Sequence, residues 1–348
     1  MSIEVEIAPL KQEFFDLAWK RLDNLIKPLK SLGRLEEIAA QLVAIFKGDL
    51  PKQFKKIVLV FAGDHGVVEE GVSAYPKEVT PQMVFNFLRG TAGINVLARH
   101  AGADVWVTDV GVDYEFKDVP GLISKKVVYG TKNFVKEPAL TRDEAIKCIK
   151  AGMEVAFEAI DKGYNLIAIG DMGIGNTTPS AAITSVITGK PVEEVTGRGT
   201  GIPDELLKKK MEVIKKGIEL HKPNPDDGID VLSKVGGAEI GACAGVILAC
   251  ASRGIPVVVD GFITSAGALI AHKVNPLVKD YMFFGHQSQE KGHKAILEYF
   301  HQKPLLDLNL RLGEGTGAAL GMFLVEAALK IYKEMLTFEE AGVSTSVV

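Results

Sequence analysis

Short apolar runs alternate with helical patterns along most of this chain. The runs are IVLVFA (57–62), DVWVTDVGV (104–112), NLIAIG (165–170), PVVVD (256–260) and YMFFG (281–285). A strand with one wet face alternates apolar and polar positions, whereas these runs are almost uninterrupted. They therefore predict strands buried on both faces of a parallel sheet. Between them, apolar positions recur at helical spacing over 80–101, 141–162, 177–188, 203–220, 237–253, 262–273 and 289–300. Thr141 followed by Glu144 in TRDEA is a capping-box signature for one of those helix starts. This alternation predicts an α/β fold with a mostly parallel sheet flanked by helices and right-handed crossovers.

The two ends carry no strand pattern. Residues 11–47 read as two amphipathic helices broken at Pro28 and at Ser31–Gly33, and 316–336 as one long, largely apolar helix. These are expected to pack together as a small helical domain (1–50 and 316–348) beside an α/β catalytic domain (51–315). No internal repeat, low-complexity tract or long linker interrupts the pattern.

Composition narrows the function more than the fold. The chain has 348 residues, 47% of them hydrophobic and 24% charged, and a net charge of −4 with acids and bases interspersed. No basic stripe points to nucleic acid. No apolar run reaches the roughly 18 residues that a membrane span needs. The first residues, MSIEVEIAPLKQEFF, lack the basic and apolar regions of a secretory signal. Cys148, Cys243 and Cys250 fall in predicted helices and have no paired spacing, so they read as reduced core residues of a cytoplasmic protein.

In open parallel sheets, ligands bind beyond the carboxyl ends of the strands. Five predicted strands here end in glycine, acid or histidine: AGDHGV, DVGVD, IGDMGIGNTT, VDGFITS and FFGHQS. Together they suggest a broad crevice for a polar ligand. In IGDMGIGNTT, a strand runs through Asp171 into Gly173 and Gly175, and Asn176, Thr177 and Thr178 then open a helix. Glycines allow close backbone approach while hydroxyls and helix amides donate to a phosphate. The plain alternative is a glycine turn with an Asn or Thr cap. TGRGTG (196–201) supplies a second glycine turn, with Gly199, Thr200 and Gly201, before a lysine-rich helix. Lys208, Lys209, Lys210, Lys215 and Lys216 read mostly as a solvated face, from which one could turn inward as a point charge.

The loop Ser73-Ala74-Tyr75-Pro76 leads through Thr80-Pro81, read as N-cap and first helical position, into a helix that begins with Gln82 and Met83. A tyrosine, a methionine and an amide can sandwich a flat heteroaromatic ring, and ordinary packing is the alternative. Two familiar fingerprints are missing, the G-x-G-x-x-G dinucleotide turn and the Walker lysine motif. No HExxH or paired histidine spacing suggests a metal, and His65 after Asp64 reads as a hydrogen-bonded structural histidine. Within LRLGEGTGAALGM (310–322), Glu314 stands between Gly313 and Gly315 at a helix start, where its charge would repel a phosphate.

Taken in order, these motifs resemble the nicotinate-nucleotide:dimethylbenzimidazole phosphoribosyltransferases of cobalamin lower-ligand assembly. The resemblance rests on AGDHGVVEEGVSAYPKEVT, GDMGIGNTTPSAA, GRGTG, HKPNPDDGIDVLSKVGGAEIGACAGV, VVVDGFITSAGAL, GHQSQEKG and LRLGEGTGAALG, which span roughly residues 30–330. It implies a Rossmann-like large domain, a small helical domain from both termini and a homodimer. It also implies transfer of a phosphoribosyl group from nicotinate mononucleotide to 5,6-dimethylbenzimidazole, with no metal and no cofactor.

By motif position, Glu314 is expected to be the general base. The nucleotide falls to Gly175, Asn176, Thr177, Thr178, Gly199, Thr200, Gly201 and Lys210, with Ser288 near the bases. The benzimidazole pocket falls to Ser73, Tyr75, Gln82, Met83 and Leu312. Asp171 stands where the family is expected to carry Glu more often, and it is taken as a secondary nucleotide-site residue. Three other readings compete. They are the same transfer to benzimidazole, adenine or a phenol, a nucleotide-binding protein without turnover, and a nicotinamide-dependent dehydrogenase that the missing fingerprint disfavours.

Overall fold

A computed structural model describes residues 3–199 and 201–344 of the chain. The amino-terminal half runs α1 (Gln12–Leu22), α2 (Arg34–Ile45), β1 (Lys56–Gly63), α3 (Val79–Arg89), α4 (Gly93–Ala101), β2 (Ala103–Gly111), β3 (Leu122–Ser124) and α5 (Arg142–Asp161). Next come β4 (Leu166–Met172), α6 (Thr177–Thr188), α7 (Val192–Val195), α8 (Asp204–His221), α9 (Gly228–Val235) and α10 (Ala238–Ser252). The chain closes with β5 (Val257–Val259), α11 (Phe262–Val274), β6 (Met282–Phe284), α12 (Lys291–Phe300), α13 (Thr316–Glu334) and α14 (Phe338–Ala341).

The six strands form one parallel sheet in the order β3-β2-β1-β4-β5-β6. Chain order reverses between β1 and β4, and a crevice opens at the carboxyl ends beside such a reversal. β1 is buried at every position, as its continuous apolar run requires. All five strands read from apolar runs are present. β3 went unread because an edge strand of three residues leaves no periodic signal.

Helix boundaries show where local chemistry decided. Thr141 accepts the Glu144 amide while Glu144 accepts the Thr141 amide, so the predicted capping box forms at the start of α5. The pattern over 80–101 read as one helix but is two, because Gly90 takes a left-handed C-cap (φ 77) and α4 restarts at Gly93. α9, absent from the sequence reading, is capped by Asp227, whose carboxylate accepts the Ile229 and Asp230 amides. The three cysteines are free and buried.

The chain ends meet. Arg21 of α1 donates to the carbonyls of Tyr332 (2.8 Å) and Met335 (3.1 Å), and Leu25 pairs with Thr337 in an isolated bridge. α13 packs against α2 and α4 and also lies on β4 and β5, which brings its amino terminus to the strand ends. No helix among the described residues is long and apolar enough to cross a membrane.

Candidate active site

The turn at 313–315 is built against backbone preference. Gly313 (φ 82), Glu314 (φ 64) and Gly315 (φ 93) are all left-handed. At Glu314 such a conformation costs on the order of 1–2 kcal/mol, and strain of this kind gathers where surrounding structure enforces it. Asp260, one residue past β5, supplies the enforcement: it accepts the Gly315 amide at 3.1 Å and the Ala318 amide at 2.9 Å. The carboxylate capping α13 is therefore Asp260 and not Glu314. A Cβ on Gly315 would stand 2.8 Å from Val58 Cγ1 on β1, so the turn also needs glycine to lie this close to the sheet.

Freed from capping, the Glu314 side chain turns to α4. Its Oε2 accepts the Ile94 amide at 3.0 Å, and the residue is only 5% exposed. Burial pushes its pKa up, the Ile94 N–H partly opposes this, and the Asp260 charge adds to the rise. A helix terminus does favour the ionised form, but the helix is α4 and burial outweighs it.

Two further acids lie beside it. Asp171, at the end of β4, is buried and its pKa is driven well up by burial first, then by the charges of Asp260 and Glu239. Its Oδ2 accepts from Asn176 Nδ2 at 3.0 Å. Asn176 therefore makes no side-chain cap on α6, contrary to the glycine-turn alternative, and its amide is tied to the acid. Asp260 is also raised by burial, against the pull of His286, whose Nε2 lies 3.6 Å from its Oδ1.

The opposite chemistry gathers at the amino end of α6. Among the lysines of α8, Lys210 alone turns inward, with 1% exposure, while Lys208, Lys209, Lys215 and Lys216 stay exposed. Lys210 Nζ donates to Thr177 Oγ1 at 2.6 Å and to the Gly197 carbonyl at 3.4 Å. Burial pulls its pKa down to about 8, with Glu290 pulling the other way. Gly199 (φ 52) passes next to Thr177 and Lys210. Thr178 is buried one residue deeper, without a partner for its hydroxyl. Gly201 lines a neighbouring cavity with Arg311, and Thr200 lies outside the described residues.

Beside these groups lies a cavity of about 310 Å³, although Glu314, Asp260, Lys210 and Thr178 do not themselves line it. Asp171, Gly175, Asn176, Thr177 and Gly199 line one side, and Ser288 and Glu290 another. Ser73, Tyr75 and Leu312 line the mouth, where Tyr75 and Leu312 are 53% and 60% exposed. Gln82 and Met83 do not reach this cavity: Gln82 is exposed on α3, and Met83 packs partly buried against the core. Glu314 Oε2 lies beside Gly93, next to the Leu312 side chain.

Thr80 departs from its sequence reading as an N-cap. α3 begins at Val79, and Thr80 is buried with Oγ1 accepting the Ile174 amide at 3.1 Å. His65 is hydrogen-bonded as expected, with Nε2 2.6 Å from Glu239 Oε1. Ser288 donates its amide to His293 Nδ1 at 2.8 Å, and His293 meets Ser265 Oγ at 3.0 Å. Burial keeps His293 neutral, with a pKa pulled down to about 3. Asp260, His286 and Glu290 were missed as site residues, although each follows the end of an apolar run.

A phosphoribosyltransferase family model matches residues 7–343. The chain is 58% identical over 339 residues to the nicotinate-nucleotide–dimethylbenzimidazole phosphoribosyltransferase of Geobacter sulfurreducens, covering 97% of this chain and 96% of that one. The chain belongs to the nicotinate-nucleotide–dimethylbenzimidazole phosphoribosyltransferase family. The enzyme of the same name from Geotalea uraniireducens is 59% identical over 340 residues, with 97% and 96% covered. The crystal structure of CobT from Thermus thermophilus superposes with a TM-score of 0.92 at 49% identity, covering 96% of this chain and all of that one. At this identity the likeness extends beyond the fold to the whole length of the phosphoribosyltransferase.

Proposed function

We propose that the chain transfers the 5-phosphoribosyl group of nicotinate mononucleotide to 5,6-dimethylbenzimidazole in cobalamin lower-ligand synthesis, with Glu314 as the general base. The observation that carries the base assignment is a buried carboxylate of raised proton affinity, held in a left-handed turn beside the cavity.

The nucleotide already contains a cationic pyridinium, so breaking its glycosidic bond leaves a neutral ring in nicotinate. A benzimidazole nitrogen attacks C1′ from the face opposite nicotinate, inverting it from β to α. The C1′–N bond to the acceptor forms as the bond to nicotinate breaks, and the electron pair of the old bond leaves with the nicotinate nitrogen. The acceptor would become cationic unless its other N–H is lost, and Glu314 takes that proton before it passes to solvent. Asp171, in the cavity wall, faces the ribose, where positive charge develops. Lys210, Thr177, Asn176, Gly175 and Gly199 hold the phosphate end, and Ser73, Tyr75 and Leu312 hold the acceptor at the mouth. Thr178, Gly201 and Ser288 support these walls.

The neighbouring reading is the same transfer to benzimidazole, adenine or a phenol. Nothing at the exposed mouth selects strictly for two methyl groups, since Tyr75 and Leu312 offer apolar contact without shape enclosure. The terminal segments, 3–50 and 316–344 among the described residues, act as a helical unit beside residues 51–315, and the enzyme works as a cytoplasmic homodimer. Incubating the chain with nicotinate mononucleotide and each acceptor, with products identified by mass, tests the activity. Tight nucleotide binding with no nicotinate released alongside any acceptor would refute it.

A further inference from the structure

Thr80 is bonded to one wall of the cavity and is in helical continuity with another. It is fully buried in the first turn of α3, and its Oγ1 accepts the Ile174 amide at 3.1 Å. Ile174 belongs to the loop that presents Gly175, Asn176 and Thr177. Ser73 and Tyr75 line the same cavity from the loop that runs directly into α3.

Thr80 also acts on the Asp64 carboxylate, lowering a pKa that burial pushes up. Asp64 follows the end of β1, and its Oδ2 accepts the Asp113 amide at 2.9 Å beyond β2. One hydroxyl thus joins the start of α3 to the glycine loop after β4. Valine has the same shape and can neither donate nor accept.

We infer that Thr80 is a positioning residue that fixes the nucleotide loop relative to the acceptor wall. The inference rests on the phosphoribosyl-transfer reading above. In-line displacement needs the attacking nitrogen about 3–3.5 Å from C1′ and opposite the leaving group. The nucleotide is held from the α6 side, the acceptor from the loop before α3, and neither substrate sets the offset between the two walls. The Thr80–Ile174 bond sets it. A displacement of ~1 Å between reacting atoms costs on the order of 10²-fold in rate, while each substrate keeps the contacts to its own wall.

The test compares T80V and T80S in the full chain by kcat, KM for each substrate, and calorimetric Kd for the nucleotide alone. T80V should lower kcat by about 10-fold or more and leave the nucleotide Kd within about 3-fold of wild type, with T80S restoring the rate. A normal kcat in T80V overturns the inference. So does loss of nucleotide affinity with kcat intact, which would make Thr80 a support for one wall only. T80S as slow as T80V overturns it as well. Should T80V not accumulate folded, T80C is compared with T80S on the same split, because a thiol is the poorer donor and acceptor. Wild-type protein that releases no nicotinate with any acceptor would refute the activity itself. Wild-type turnover with an unaffected T80V refutes only the role of Thr80.

Discussion

Asp260 holds the amide of Gly315 at 3.1 Å, and with it the backbone of the turn that carries Glu314. The second oxygen of Asp260 takes the Ala318 amide, so one buried carboxylate both caps α13 and locks the left-handed residue ahead of it. Glu314 needs no capping role and is left with a single backbone partner, Ile94, and room to accept a proton.

Glu314→Gln keeps the shape of the side chain and removes the proton acceptor. Turnover should fall by roughly 10²–10⁴-fold, the usual worth of a general base, while calorimetry shows nucleotide binding close to wild type. Near-normal turnover in E314Q would remove Glu314 from the chemistry.

The pH profile should be bell-shaped, with each limb set by one of two groups. Glu314 is raised above the ordinary carboxylate range, so activity is lost as pH falls through that raised value. Lys210 titrates at about 8, so nucleotide capture weakens as pH rises through that value and the cation is lost. The profile of kcat/KM reports the free enzyme, which is the state described by these values. K210M should abolish the alkaline limb and leave the acidic one in place; an alkaline limb that persists would assign it to another group.

Asp260→Asn removes a charge that pushes Glu314 up and leaves one acceptor for two amides. The acidic limb should move to lower pH, because the neighbouring negative charge is gone. Loss of a helix cap typically costs ~0.5–2 kcal/mol, readable as a lower urea midpoint. An acidic limb that stays put would show that Asp260 acts through geometry alone.

Glu314→Gly should separate stability from function. Glycine relieves a left-handed backbone at φ 64 and removes a buried acid, so E314G is expected to be at least as stable as wild type while being inactive. The gain is on the order of 1 kcal/mol. A clear fall in urea midpoint would mean that the Ile94 bond contributes more than the strain removes.

The parallel sheet was legible because a strand covered on both faces has to be apolar at nearly every position. The five long runs therefore announced five strands, whereas β3, with only three residues, announced nothing. The glycine turn at the start of α13 was also legible, since glycines flanking Glu314 mark a backbone in the left-handed region. Helical periodicity alone could not separate Lys210 from Lys208 or Lys209, because which face of α8 turns inward depends on what α8 packs against; only motif position singled it out. Gln82 and Met83 do not line the cavity; on α3, which begins at Val79, Gln82 is exposed and Met83 is partly buried against the core.

The chain's own pattern determined the α/β layering, the ends of the strands and the residue types that could meet there, because local periodicity and backbone chemistry act over a few residues. Tertiary structure decided which of those residues face one another: Asp260 beneath Gly315, Ile94 against Glu314, Thr80 under Ile174. Each of these pairs joins segments distant in sequence through a buried backbone amide, and an amide is present at every residue except proline. Only the packed fold determines which amide is left without a partner and which side chain lies close enough to accept from it.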